Sequence, residues 1–114
     1  MRKTTLAALA AGVAIALASQ PTLAADKLKI GFLPGVVDPF YQVMQLGVEK
    51  AAKDLGAEVV TQVPPTWGVE AQTPLLDAMV ARGDLNYIII APVDKDQMVG
   101  PLKTAVELCY TRTS

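Results

Sequence analysis

The sequence predicts an α/β domain of three layers: a parallel β-sheet with helices on both faces. Three observations point there. Between residues 26 and 107 an apolar strand-like run is followed three times by a segment with helical spacing, the pattern of crossover-connected parallel strands. The third run, NYIIIA at 86–91, is apolar without alternation, as in strands covered on both faces. Each run ends in turn residues: Pro34-Gly35, Pro64-Pro65 and Pro92. These place three loops at the carboxyl edge of the sheet, where open α/β folds bind ligands.

Residues 1–24 read as an address. Arg2 and Lys3 precede an apolar stretch at 6–17, and a more polar run at 19–24 ends in small residues. This is the three-part pattern of a secretory signal peptide, with an apolar stretch too short to span a bilayer comfortably. Cleavage is expected after Ala24, with Thr22 and Ala24 at the two small positions and Ala18 as the alternative. The competing reading is a buried Ala-rich helix. No later segment resembles a membrane span, so the mature chain is expected to be soluble and periplasmic.

The stretch LKIGFLPGVVDPFYQVMQLGV at 28–48 reads as a strand, a turn and a helix start. Asp38 suits the N-cap and Pro39 the first helical position, where a missing N–H does no harm. The helix over 39–55 is expected to bury Phe40, Val43, Met44, Gly47, Val48, Ala51 and Leu55, and to stop at Gly56. Residues 57–63 (AEVVTQV) form the second strand and 64–68 (PPTWG) a stiff loop. A second helix runs to about Arg82 and stops at Gly83, with Leu75, Leu76, Met79 and Val80 inward. Pro74 fits it if regular helix begins near Thr73, or if the preceding turn is distorted. After the third strand, Asp94 with Gln97 forms a capping box for a third helix, which buries Met98, Leu102, Ala105 and Val106. Right-handed crossovers leave two strand orders open. Order 2-1-3 opens a crevice between loops 34–40 and 91–95; order 1-2-3 closes it.

Composition narrows the function. The 114 residues hold at most one domain, with 10 basic and 11 acidic side chains. Removing the leader leaves 8 and 11, a net charge near −3, so no field favours nucleic acid. There is no His, the commonest general base and metal ligand, and a single Cys, Cys109. Neither familiar glycine-rich phosphate loop is present. No cofactor or metal is expected, and an enzyme is the weaker class.

IGFLPGVVDPFYQVMQLGVEKAAKDLGAEVV, followed by LLDAMVARGDLNYIIIAPVDKDQMVGPLKTAVE, resembles the first lobe of type I periplasmic sugar-binding proteins. These are the ribose/galactose-binding-like solute receptors of ABC importers. The resemblance covers nearly all of 28–107. It is carried by the aromatic pair after Asp-Pro, the GVEKAAKDLGAEV helix end and the AP-x-D step. It implies strand order 2-1-3, a sugar held between two lobes, and an ABC permease as partner of the full-length protein.

By that resemblance Asp38 stands where an Asn often binds hydroxyls, and Phe40 and Tyr41 match the aromatic pair. Ala91 stands where some members carry a ligand Asn. Asp94 matches a common Asp, and the Trp67 loop is not general to the family. The candidate ligand-binding residues are therefore Asp38, Phe40, Tyr41, Trp67 and Asp94. Physically, aromatic faces suit the slightly positive C–H face of a sugar, and a carboxylate accepts its hydroxyl hydrogens. Each has a plainer role: Phe40 continues the buried stripe, Asp38 and Asp94 cap helices, and Trp67 packs its loop. The alternatives are an exported α/β enzyme fragment and a same-fold receptor for chemotaxis or signalling. The LacI-like repressor cores share the fold, but a signal peptide stands in place of their DNA-binding headpiece.

The divisions expected are a signal peptide at 1–24, a partial N-terminal lobe at 25–107 and a divergent tail at 108–114. LCYTRTS lacks the turn and fourth strand that the family implies there, as a frameshift or truncation would produce. On that reading the chain alone is an incomplete, non-functional fragment. It is expected to aggregate through its apolar third strand or be degraded, and to show no measurable sugar binding.

Overall fold

In the computed structural model, residues 27–113 are described; the leader at 1–24, its cleavage after Ala24 and the terminal Ser114 lie outside them. Three strands, β1 (Lys29–Leu33), β2 (Glu58–Thr61) and β3 (Tyr87–Ile90), alternate with helices α1 (Pro39–Asp54), α2 (Val69–Arg82) and α3 (Val99–Thr113). The sheet is parallel, in the order β2-β1-β3. The expected 2-1-3 arrangement is therefore the observed one, and β1 lies at its centre. With right-handed crossovers this order puts α1 on one face and α2 on the other.

The face toward α2 and α3 carries the core. Leu33, Leu76, Met79, Val80, Val93 and Met98 are buried together, with Leu75, Leu85, Ile88, Ile90, Leu102 and Ala105 packed around them. Gly31 adds to the fit, since a Cβ there would meet the side chains of Leu85 and Met79 at 3.0 and 3.2 Å. Residues of the opposite alternation, Ile30 and Phe32, point to the α1 face, where Phe32 and Ala52 are buried.

Several expectations fail on the α1 face. Its partly or fully covered stripe is Tyr41, Gln45, Val48 and Ala52, at spacings of four, three and four. The expected stripe lies about one residue around the helix: Phe40 is 67% exposed, Val43 70% and Leu55 79%. Apolar residues occupy more than one side of α1, so their spacing alone could not select the side that packs. Likewise β3 is covered on one face only. Ile88 and Ile90 enter the core, while Tyr87 and Ile89, of the other alternation, are exposed.

The helix ends follow local chemistry. Asp38 caps α1 and Pro39 takes its first position. Gly56 and Gly83, at φ of 69° and 73°, follow α1 and α2 in the left-handed conformation that glycine adopts without strain. Helix α2 starts at Val69, earlier than Thr73, and takes Pro74 inside; Pro74 is exposed. Helix α3 continues through residues 108–113. Val106, expected inside, is exposed and lines a groove of about 420 Å³ with Tyr87, Ile88, Ile90 and Leu102. None of the described helices is long and apolar enough to cross a membrane.

Candidate functional site

The last ladder bond between β1 and β3 runs from the Ala91 N–H to the Leu33 carbonyl, 3.0 Å. Beyond it the two chains diverge toward α1 and α3. Loop 62–68, leaving β2, reaches the same edge. The candidate site is built on these three loops.

Tyr41 and Trp67 meet there. Their rings are 6.5 Å apart at 30°, an offset stack, and Phe40 makes an edge contact with Tyr41 at 5.3 Å. Both Tyr41 and Trp67 lie against the Gly35 backbone. A Cβ on Gly35 would stand 2.5 Å from the Trp67 ring and 3.0 Å from the Tyr41 hydroxyl oxygen. Only glycine leaves room for the pair at that point. Half-buried Tyr41 belongs to the covered stripe of α1, whereas Phe40 does not continue it. Trp67 is 55% exposed. The two rings thus form an apolar platform open to solvent at the mouth of the sheet.

Polar groups flank it. The Phe40 N–H donates to Asp38 Oδ1 at 2.8 Å, and the Gln42 N–H to the Asp38 carbonyl at 3.0 Å. Oδ2 of Asp38 has no partner among the described residues. Asp38, Tyr41, Pro34, Gln42, Gln45 and Val63 line a cleft of about 100 Å³. That is well below the roughly 300–1,000 Å³ of a full small-molecule site, so by itself it is room for part of a small molecule only.

Asp94 is more fully occupied. Its Oδ1 accepts the N–H groups of Asp96 (2.9 Å) and Gln97 (2.7 Å), and its Oδ2 accepts from Gln97 Nε2 (3.3 Å). The Gln97 and then the Asp96 N–H hold this carboxyl below the usual carboxylate range. This is not the capping box expected for the third helix: α3 begins only at Val99, and Asp94 instead closes the turn at 95–98, with Gln97 returning to its carboxylate and not to its backbone. Asp94 therefore has most of its acceptor capacity engaged, while Asp38 keeps one oxygen available.

The structure brings Tyr41, Trp67 and, through α1, Asp38 to one place. The 420 Å³ groove beside β3 and α3 is larger, but its lining is largely apolar and offers a hydroxylated ligand few partners. No group of three or more His, Cys, Asp or Glu able to hold a metal occurs among the described residues.

One residue of the site escaped the sequence reading. Gln72, on the first turns of α2, is fully buried and hydrogen-bonded to both flanking loops. Its signal was its position, four residues before Leu76 and seven before Met79, on the inward stripe of α2. A polar side chain there must find partners inside.

Comparison with known proteins bears on this arrangement. Residues 30–108 match the family model of the periplasmic binding protein domain. Over 96 residues the chain is 35% identical to the L-arabinose-binding periplasmic protein of Escherichia coli (strain K12), covering 83% of this chain and 28% of that one. Similar solved structures include an ABC transporter solute-binding protein from Agrobacterium vitis, bound with alpha-D-tagatopyranose. It is 40% identical with a TM-score of 0.68, over 71% of this chain and 27% of that one. Another is a periplasmic solute-binding protein of an ABC transporter from Actinobacillus succinogenes 130z with bound D-allose. At 23% identity, TM-score 0.66 and coverage of 72% and 29%, it supports the fold alone. The chain spans under a third of the length of each of these proteins. By their names these relatives are sugar-binding transport proteins, not enzymes.

Proposed function

The chain belongs to the periplasmic binding protein domain family, and from that footing we propose that it provides one wall of a sugar-binding cleft in the solute receptor of an ABC-type importer. The observation that carries this reading is the Tyr41–Trp67 platform over Gly35, beside the open carboxylate oxygen of Asp38. Aromatic faces receive the C–H side of a sugar, and a carboxylate at the rim accepts its hydroxyl hydrogens. The ligands named for the arabinose- and tagatose-binding relatives belong to the same chemical class.

Tyr41 and Trp67 stack on the ring, Asp38 binds hydroxyls, Phe40 buttresses Tyr41, and Asp94 holds the opposite rim in place. The protein works in the periplasm, delivered there by residues 1–24. It acts as a receptor and not as an enzyme, with an ABC permease as partner. A single wall leaves a sugar largely solvated, whereas good pockets bury about 70–90% of their ligand. Contact with this chain alone is therefore weaker than calorimetry measures.

Nuclear magnetic resonance reaches that range. Amide shifts of the full chain are followed while a pentose or hexose is added to about 50 mM, a ceiling matched to the millimolar end of binding free energies. Saturable shifts confined to residues 35–41, 66–68 and 91–95 are expected. Unchanged spectra, or shifts centred on the groove beside α3, would overturn the proposal.

A further inference from the structure

Behind the aromatic platform sits a polar side chain with no exposed surface. Gln72 donates from Nε2 to the Pro34 carbonyl (3.1 Å) and to the Ala91 carbonyl (2.8 Å). Its Oε1 accepts from the Val93 N–H (3.1 Å). The orientation of the amide is fixed by its partners, since the flipped form would set an oxygen against two carbonyl oxygens.

The location matters more than the number of bonds. Pro34 and Ala91 are the first residues past the point where β1 and β3 stop pairing. Beyond that point no neighbouring strand remains to serve their carbonyls. Gln72 takes both, and adds the N–H of Val93 from the same rim. Its backbone N–H makes the ordinary first-turn bond of α2 to the Gly68 carbonyl at 3.0 Å, one residue after Trp67. The side-chain amide therefore ties the 34 and 91–93 rims to the start of α2, and with Pro34 it holds Gly35, against which Trp67 rests.

We propose that Gln72 is a positioning residue of the binding wall. Through its amide it sets the distance between the Pro34 and Ala91–Val93 rims, and it sets where Trp67 lies relative to Gly35 and Tyr41. Its ligand-side consequence rests on the sugar reading above; its geometric content does not. Volume alone would not do this work. A side chain of equal size without donors leaves two carbonyls and one N–H buried without partners, and they separate to reach water.

Two variants test this. Gln72→Met keeps length and apolar bulk but has no hydrogen bonds to offer. Gln72→Glu accepts from Val93 as before, and when protonated donates its single O–H to one of the two carbonyls. Burial against two carbonyls raises the pKa of that carboxyl, and its ionisation as pH rises removes the donor. Asp94, next to Val93, is held low by its own N–H partners and stays charged throughout.

The readouts need no ligand: emission and acrylamide quenching of Trp67, the only Trp of the chain, and the amide shifts of Gly35 and Val93. In Gln72→Met, displaced Gly35 and Val93 shifts and a more quenchable Trp67 are expected at every pH. In Gln72→Glu, values between wild type and Gln72→Met are expected near pH 5, where one of the two carbonyls is still served, drifting toward those of Gln72→Met as pH rises. Wild-type readouts should stay level. Sugar-induced shifts, measured in parallel, should weaken about tenfold in Gln72→Met.

Wild-type Trp67 and amide readouts in Gln72→Met would overturn the proposal. So would a Gln72→Glu protein whose readouts ignore pH, and that second arm decides if Gln72→Met fails to fold. If the ligand-free readouts behave as expected while wild type shows no sugar contact, the sugar reading fails and the positioning role stands.

Discussion

The two faces of the sheet use similar residues to different ends. On the α2/α3 face, side chains from β1, β3 and both helices interlock into the one cluster of buried apolar residues, with a single amide buried at its rim. On the α1 face only Phe32 and Ala52 among the described apolar residues are fully covered, and Tyr87 and Ile89 stand open over β3. Ile88, Ile89 and Ile90 show the contrast most directly. They are chemically identical neighbours, yet the strand's two-residue period sends the outer two into the core and the middle one to the open face. Apolar character indicates what can be buried; the element lying opposite decides what is. The Tyr41–Trp67 ring pair sits where the two faces meet, with Tyr41 supplied from one side and Trp67 from the lead-in to the other.

The largest effect should come from testing that contrast by truncation. Leu76→Ala removes a fully buried side chain and is expected to cost about 2–5 kcal/mol in denaturant unfolding. Ile89→Ala, on the open face, should cost less than about 1 kcal/mol. Equal losses would mean that the faces are equally packed. Next comes the seam. Gly35→Ala forces a methyl group against the Trp67 ring, and overpacking of this kind costs about 1–3 kcal/mol. It should also shift Trp67 emission; an unmoved Trp67 would show that the ring does not rest on Gly35.

A smaller change in stability, within about 0.5 kcal/mol, is expected for Ile89→Lys. Its readout is association. An exposed apolar edge strand is a template for pairing between chains, and an inserted Lys blocks it. Light scattering against concentration should show less self-association than wild type.

The smallest effect lies at the amino edge of the sheet. There Asp84 bonds Arg82 at 2.9 and 3.0 Å and Lys29 at 3.3 Å. The Arg82 guanidinium, aided by Lys29, holds the Asp84 carboxyl well below the usual carboxylate range. A pKa lowered by folding contributes stability above the unfolded value of about 4, and that contribution is lost as pH falls below it. The groups are substantially exposed, so screening keeps the effect small. Asp84→Asn should flatten the acid limb of the stability curve slightly, through a small loss at pH 7 and almost none in strong acid.

Much of this was legible in the residues. The helix caps at Asp38, Gly56 and Gly83 followed from local chemistry, because a cap needs only its own turn. Three strand–helix units followed from hydrophobic period, and the resemblance supplied the strand order. What could not be read was which side of α1 packs, since Phe40, Val43 and Leu46 compete with Tyr41, Val48 and Ala52 for that role. The open face of β3 was hidden for the same reason: an unbroken Ile run looks alike whether one side is covered or both. Gln72 was overlooked because a Gln on a helix is ordinarily solvated, although its place on the Leu76–Met79 stripe marked it.

The central claim is that the Tyr41–Trp67 platform is the sugar-facing wall. Saturation-transfer difference spectra of a pentose or hexose with the full chain address it directly, by comparing wild type with Tyr41→Ala/Trp67→Ala. The ring C–H protons of the sugar should receive saturation in the wild type and lose nearly all of it in the double variant, with the fold intact by circular dichroism. Undiminished transfer in the folded double variant would contradict the claim.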